Sequence, residues 1–200
     1  MAIKVVLWDI GNVIIAASHD VAIERLVGMG VPYMRARGFF KHPYYAHFAR
    51  GTIDAAEFHR QQCEQLGMQI PIAIMRAAHD AHMYGVDTEV LEIVRSVKLP
   101  IAWATATNTW QTARQQQLVD LQRMFPNARW FCSNETGRLK TDAGAFEDMV
   151  LRLGVEAEEI LFIDDSAANC DAALACGITV VQYKDAALLC RNLAFHPGVL

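Results

Sequence analysis

Carboxylates that end apolar runs are the first sign of chemistry in this chain. In ILFIDDSAANCDAALACGI a short apolar segment leads straight into two adjacent acids, Asp164 and Asp165, and a helical pattern starts just after them. Like charges at one point repel, so the arrangement is costly unless a cation shares the site. Mg²⁺ suits such a place, because it takes one or two carboxylates together with waters and a phosphate oxygen in an octahedral shell. In MAIKVVLWDIGNVI a third carboxylate, Asp9, follows another apolar run, with Gly11 and Asn12 behind it. If the two runs are neighbouring strands, Asp9 adds a further oxygen to the same cation. Both places also have a structural reading: Asp9 as a turn residue bonding nearby amides, and the acid pair as the cap of the following helix.

Two more stretches offer complementary groups. In LPIAWATATNTW a run from Pro100 ends in Thr105, with Ala106, Thr107 and Asn108 close behind, which provides a hydroxyl and backbone amides. Counting from Pro100 favours Thr105, whereas the TN pair favours Thr107. In SNETGRLKTDAGAF, Lys140 lies ahead of a helical pattern and could bring a positive point charge to the same edge.

These groups meet only if the intervening chain forms a particular scaffold. Ile3 to Trp8, Pro100 to Ala104, Trp130 to Cys132, Ile160 to Ile163 and Ile178 to Gln182 read as buried strands, with helical patterns such as Ala143 to Leu153 and Ser166 to Cys176 between the later ones. Strand alternating with helix predicts an α/β fold with a mostly parallel sheet covered by helices, and open sheets of that kind collect their chemistry at the carboxyl ends of the strands. From Ala16 to Tyr84 the pattern is helical throughout, as in Asp20 to Gly28 and Asp54 to Leu66. The expected organisation is therefore a core of residues 1–15 and 86–200, with an all-helical cap over 16–85 inserted after strand one. In that insertion His42, His47, His59, His79 and His82 lack acidic partners at ligand spacing, and Tyr33, Phe39, Phe40, Tyr44, Tyr45 and Phe48 suit helix packing, with one or two able to line a pocket under the cap.

Composition narrows the partners. At 200 residues and 53% hydrophobic the chain can bury a sizeable core, and a net charge of −4 lacks the positive field that nucleic acid or an anionic membrane requires. No segment reaches the roughly 18 apolar residues of a membrane span, and the first residues have no signal-peptide layout. Five cysteines without a CxxC pair read as reduced thiols of a cytoplasmic protein. A small molecule is the expected partner, and no feature assigns an oligomeric state.

The order Asp, Thr, Lys, Asp-Asp resembles the haloacid dehalogenase-like (HAD) hydrolase superfamily over nearly the whole chain. WDIGNVI, the helical insertion with ARGTIDAAEF, and GRLK ahead of FIDDSAANCDAALACGI are similar to its sugar-phosphatase and epoxide-hydrolase amino-terminal phosphatase branch. The resemblance implies a Rossmann-like fold and a Mg²⁺-dependent phosphatase for a small phosphorylated metabolite, such as a sugar phosphate. Asp9 would be the nucleophile that becomes an aspartyl phosphate, Thr105, Ala106 and Lys140 would hold the phosphoryl oxygens, and Asp9, the Gly11 carbonyl, Asp164 and Asp165 would hold the metal.

Three positions depart from the family pattern. Gly11 stands where an Asp commonly protonates the leaving alkoxide, a loss of roughly 10² to 10⁴ in rate for a poor leaving group. Ala106 replaces a frequent Asn, and Thr141 a frequent Pro. Two competing functions follow: a catalytically degenerate member that binds a ligand or partner, supported by Gly11 and Ala106, and a haloacid dehalogenase, which the acid pair opposes because two anions are poor neighbours for a departing halide.

Overall fold

A computed structural model describes residues 2–200. The chain begins with β1 (Val5–Trp8), a turn, and β2 (Ile15–Ala17). Five helices follow: α1 (His19–Gly28), α2 (Tyr33–Gly38), α3 (Pro43–Ala49), α4 (Ala55–Leu66) and α5 (Ile72–Asp80). The next stretch holds β3 (Met83–Val86), α6 (Thr88–Ser96), β4 (Ile101–Thr105), α7 (Thr109–Leu118), α8 (Leu121–Met124), β5 (Arg129–Cys132) and α9 (Ser133–Thr136). The last is α10 (Ala145–Leu153), β6 (Ile160–Asp164), α11 (Ala167–Ala175), β7 (Thr179–Gln182) and α12 (Ala186–Ala194).

The main sheet has the order β5-β4-β1-β6-β7, and all its pairings are parallel. Helices on both faces explain why its central strands read as unbroken apolar runs. Val6 and Trp8 of β1 point into one core layer, with Val90 and Val94 of α6 and Leu189 and Leu193 of α12. Val5 and Leu7 point into the other, against Phe146 and Met149 of α10 and Ala173 of α11. This is an α/β Rossmann-like fold, as the alternating pattern predicts. The chain runs outward from β1 through β4 to β5, then returns to lay β6 on the other side of β1, so the order reverses between β1 and β6. That reversal leaves a crevice at the strands' carboxyl ends.

Trp8 is in register with Trp103 of β4 and Ile163 of β6, so Asp9 emerges level with Ala104 and Asp164. The Asp9 N–H donates to the Ile163 carbonyl at 2.8 Å, which ties the acid to the edge.

The helices α1 to α5 share a core of their own, built on Leu26, Phe39, Phe48, Phe58, Leu66 and Met75 and closed by Trp110 from α7. Burying one such Phe is worth about 1.5–3 kcal/mol. Asp54 caps α4 by accepting from the Glu57 N–H at 2.8 Å, which is why the helical pattern starts there. The expectation of an insertion helical from end to end is corrected at both ends. Ile15–Ala17 pairs antiparallel with Met83–Val86, forming a two-stranded ribbon with an irregularity between Ala16 and Ala17. Each strand is too short to show a period of two, and the pairing joins segments far apart in sequence. No helix among the described residues is long and apolar enough to cross a membrane.

Candidate active site

The turn after β1 explains the residues behind Asp9. Asn12 has a positive φ of 53°, a left-handed conformation that Asn tolerates better than most side chains. Its Oδ1 accepts from the Ala17 N–H at 3.0 Å, while its own N–H donates to the Ile15 carbonyl. The turn thus starts β2 and leaves the Asp9 side chain pointing along the crevice.

Lys140 is the hub of the site. Its Nζ donates to Asp9 Oδ1 at 2.6 Å, to Asp164 Oδ2 at 2.6 Å and to the Ala104 carbonyl at 3.0 Å, so all three ammonium protons are used. Lys140, Asp9 and Asp164 are all buried. Asp164 Oδ1 accepts from the Ser166 N–H at 2.8 Å and from Asn169 Nδ2 at 3.0 Å. Burial pushes the Asp9 carboxyl up to about 7, and the Asp164 charge acts the same way while Lys140 opposes them. Burial alone would lower the Lys140 ammonium, but the charges of Asp9 and Asp164 outweigh it and hold it above the usual lysine range. Burial and Asp164 also raise the half-buried Asp165.

One ammonium among three carboxylates leaves the crevice short of positive charge. Asp9, Asp164 and Asp165 each offer an oxygen, and these lie within 4.8 Å of one another. In an octahedral Mg²⁺ shell with bonds of about 2.1 Å, oxygens sit about 3 Å apart when adjacent and about 4.2 Å apart when opposite. The donor set therefore fits a hard divalent cation in spacing and in chemistry.

Lys140 reaches the edge from a loop that the insertion holds in place. Its neighbour Leu139 donates its N–H to Asp142 Oδ2 at 2.8 Å, and Arg50, just after α3, clamps Asp142 through two bonds of 2.7 and 2.6 Å. The clamp keeps the Asp142 carboxyl below its ordinary value. Beside it Gly51 adopts φ +67°, and a Cβ there would collide with the Asn134 carbonyl. Ser133 Oγ bonds the Ala49 carbonyl at 2.6 Å. The ARG of the ARGTIDAAEF stretch is thus the seam between α3 and α9.

Thr105 ends β4, is buried, and lines a cavity of about 110 Å³ together with Asp9, Gly11, Ala106 and Lys140. Thr107 faces elsewhere: its N–H donates to Ser133 Oγ at 2.9 Å, and its hydroxyl lies 3.3 Å from that of Thr112. Asn108 is the cap of α7, its Oδ1 accepting from the N–H groups of Trp110 and Gln111. The TN pair is therefore helix-start chemistry. None of Tyr33, Phe39, Phe40, Tyr44, Tyr45 and Phe48 lines the cavity. Its other walls come from residues the sequence reading left aside: Asn169 beside Asp164, Ala17 and Met83 from the ribbon, His82 just before it, and Gln111 and Gln115 one turn apart on α7. The i,i+4 spacing of the two glutamines was the one legible signal.

The geometry has relatives. The chain aligns with a HAD family enzyme from Bacteroides thetaiotaomicron, solved with magnesium and inorganic phosphate, at 23% identity over 92% of this chain and 95% of that one, with a TM-score of 0.81. A predicted HAD-like family hydrolase from Porphyromonas gingivalis aligns at 19% identity over 97% and 98%, TM-score 0.83. The L-2-haloacid dehalogenase from Xanthobacter autotrophicus aligns at 14% identity over 99% and 85%, TM-score 0.66. No curated protein matches the chain. The model of the haloacid dehalogenase-like hydrolase family matches residues 3–177, which takes in the turn after β1, the insertion, the lysine loop and the acid pair, and the chain therefore belongs to that family of hydrolases.

Proposed function

We propose that the chain is a Mg²⁺-dependent phosphatase that hydrolyses a small phosphorylated metabolite, such as a sugar phosphate, and that it stands with the sugar-phosphatase and epoxide-hydrolase amino-terminal branch of its family. The observation that carries this reading is the buried Asp9–Lys140–Asp164 bridge beside Asp165 at the strand order's reversal. The magnesium and inorganic phosphate bound by the Bacteroides relative support it. Five unpaired cysteines suit a reducing cytoplasm.

Asp9, Asp164, Asp165 and the Gly11 carbonyl would hold the metal, which when bound neutralises the charge that otherwise sets a phosphate dianion against the carboxylates. Lys140 occupies Asp9 Oδ1, so the other oxygen is the nucleophile. It forms a bond to phosphorus as the bond from phosphorus to the ester oxygen breaks, giving an aspartyl phosphate. The Thr105 hydroxyl and the Ala106 N–H hold the phosphoryl oxygens through this step, and the Lys140 ammonium, its protons already engaged, faces them as a point charge. The alkoxide takes its proton from water, since Gly11 has none to give. Water then attacks phosphorus, returning the Asp9 carboxylate and releasing inorganic phosphate. Helices α1 to α5 act as the cap that shields these steps from solvent.

The test is phosphate release from p-nitrophenyl phosphate and from alkyl and sugar phosphates, with Mg²⁺ and with EDTA, using Asp9→Asn as control. The nitrophenyl ester should turn over even where alkyl esters are slow, because its leaving group needs little protonation. Absence of Mg²⁺-dependent turnover of every ester would overturn the proposal in favour of a binding role.

A further inference from the structure

The cavity has a second wall that neither the phosphoryl group nor the metal uses. Besides Asp9 and Lys140 it is lined by His82, Gln111 and Gln115, with Ala17 and Met83. From this wall we infer that His82 and Gln111 are the residues that select the leaving group, and that they read a hydroxyl on a neutral polyol or sugar. The inference rests on the phosphatase reading and extends it to the part of the substrate that departs.

The pair is built to present one acceptor and one donor. His82 Nδ1 faces the His79 carbonyl at 2.5 Å and must carry the proton there, so Nε2 is left bare. Burial, with His79 adding to it, lowers the His82 ring to about 4, which keeps it neutral near pH 7. Asn108 Nδ2 donates to Gln111 Oε1 at 2.8 Å and so sets that amide, turning Gln111 Nε2 toward His82 Nε2 at 3.3 Å. That contact is long for an N–H···N bond between two groups so well fixed. A hydroxyl that displaces this contact, the Gln111 amide giving way by an ångström or so, would donate to His82 Nε2 and accept from Gln111 Nε2, and would satisfy both groups better than they satisfy each other.

Both groups are held before any ligand arrives. His82 is 2% exposed, and its carbonyl accepts from the Ser18 N–H at 2.8 Å where the ribbon begins. Gln111 is fixed by the α7 cap. The rest of the wall discriminates by charge and by shape. Among the described residues that line the cavity the charged pair is Asp9 and Lys140, and they are bridged to each other. A carboxylate or ammonium on the leaving group would find no counter-charge, and no Phe, Tyr or Trp of the wall offers a nucleobase a ring to stack on. The same geometry excludes His82 as a stand-in for the acid missing at Gly11. Its proton is on the nitrogen that faces away, and the nitrogen that faces the cavity has none.

The experiment compares kcat/KM of wild type, His82→Phe and Gln111→Leu on glucose 6-phosphate, sn-glycerol 3-phosphate, O-phosphoserine and p-nitrophenyl phosphate, with folding checked by circular dichroism. Each variant should lose about 10- to 100-fold on the two hydroxylated esters, mainly through KM, and less than about 3-fold on the nitrophenyl ester. Wild type should prefer both hydroxylated esters to phosphoserine. Equal losses on all esters, no loss on the hydroxylated ones, or a preference for phosphoserine would overturn the inference while leaving the phosphatase reading intact. Failure of wild type on every ester would overturn that reading and this inference with it.

Discussion

Gly11→Asp should restore the proton donor that the site lacks. Gly11 lies on the cavity wall beside Asp9, its φ is not in the left-handed region, and a Cβ built there meets no atom within 4 Å. A Cβ can therefore be added there without displacing backbone or neighbour, and the side chain starts from the cavity wall. A placed general acid contributes about 10²- to 10⁴-fold, or about 3–5 kcal/mol of barrier, when the departing oxygen is basic. An alkoxide gains most of this and a nitrophenolate almost none, so the readout is the ratio of the two rates. We expect kcat for sn-glycerol 3-phosphate to rise by about 10²-fold relative to kcat for p-nitrophenyl phosphate. Gly11→Asn, of equal size and without an acidic proton, controls for shape and should leave the ratio near the wild-type value. The new acid must be protonated to act, so the alkyl rate should also fall at high pH in Gly11→Asp alone. An unchanged ratio in a folded variant that still requires Mg²⁺ would refute the claim that protonation of the leaving group limits this enzyme.

Three further outcomes follow from the same geometry. Lys140→Met strands Asp9 and Asp164 side by side in the buried edge, a change of about 3–5 kcal/mol. Its melting temperature in EDTA should drop by roughly 6–20 °C for a chain of this size, and Mg²⁺ should recover more of that loss than it adds to wild type. Thr105→Val should raise KM and lower kcat for the nitrophenyl ester with little change in melting temperature, whereas Thr107→Val should lower the melting temperature and leave KM and kcat near their wild-type values. For His82 the sign is that of a base whose folded pKa lies below its unfolded value: the unfolded chain takes up the proton first, so stability is lost as pH falls from about 6.5 towards 4. That amounts to about 2 kcal/mol between pH 7 and pH 5. Urea unfolding of His82→Phe should show a loss smaller by this amount over the same interval, and an identical loss in both proteins would contradict a neutral buried His82.

The sheet and its reactive edge were legible because their signals are local. A strand buried on both faces must be apolar along its length, so a polar residue that ends one stands out, and Asp9, Thr105 and the Asp164-Asp165 pair all announce themselves in this way. Lys140 was harder, because its role depends on a loop whose position is set by Arg50 and Asp142, remote in sequence from each other. The ribbon and the His82–Gln111 pair left no such trace. Ile15–Ala17 and Met83–Val86 are strands only because they meet, and Gln111 is an ordinary exposed-looking residue of a polar helix until Asn108 turns its amide. Histidines judged by spacing alone look idle, and it took the carbonyl of His79 to show which nitrogen of His82 is free.

The ribbon also makes the insertion exchangeable. Ser18 and His82 are hydrogen-bonded neighbours, so everything between them leaves the core and returns to it at a single point. A loop closed in this way can lengthen at little cost, about 0.6 kcal/mol for each doubling, and its contents can change without altering the spacing of Asp9 from Lys140 and Asp164 as long as Arg50 keeps its hold on Asp142. Most of that stretch of the gene can therefore drift while the Asp9–Lys140–Asp164 edge is held still, with Arg50 the position that cannot drift with it. The tether is not entirely neutral, since His82 sits at the splice itself, and any replacement that moves the join moves a wall of the cavity.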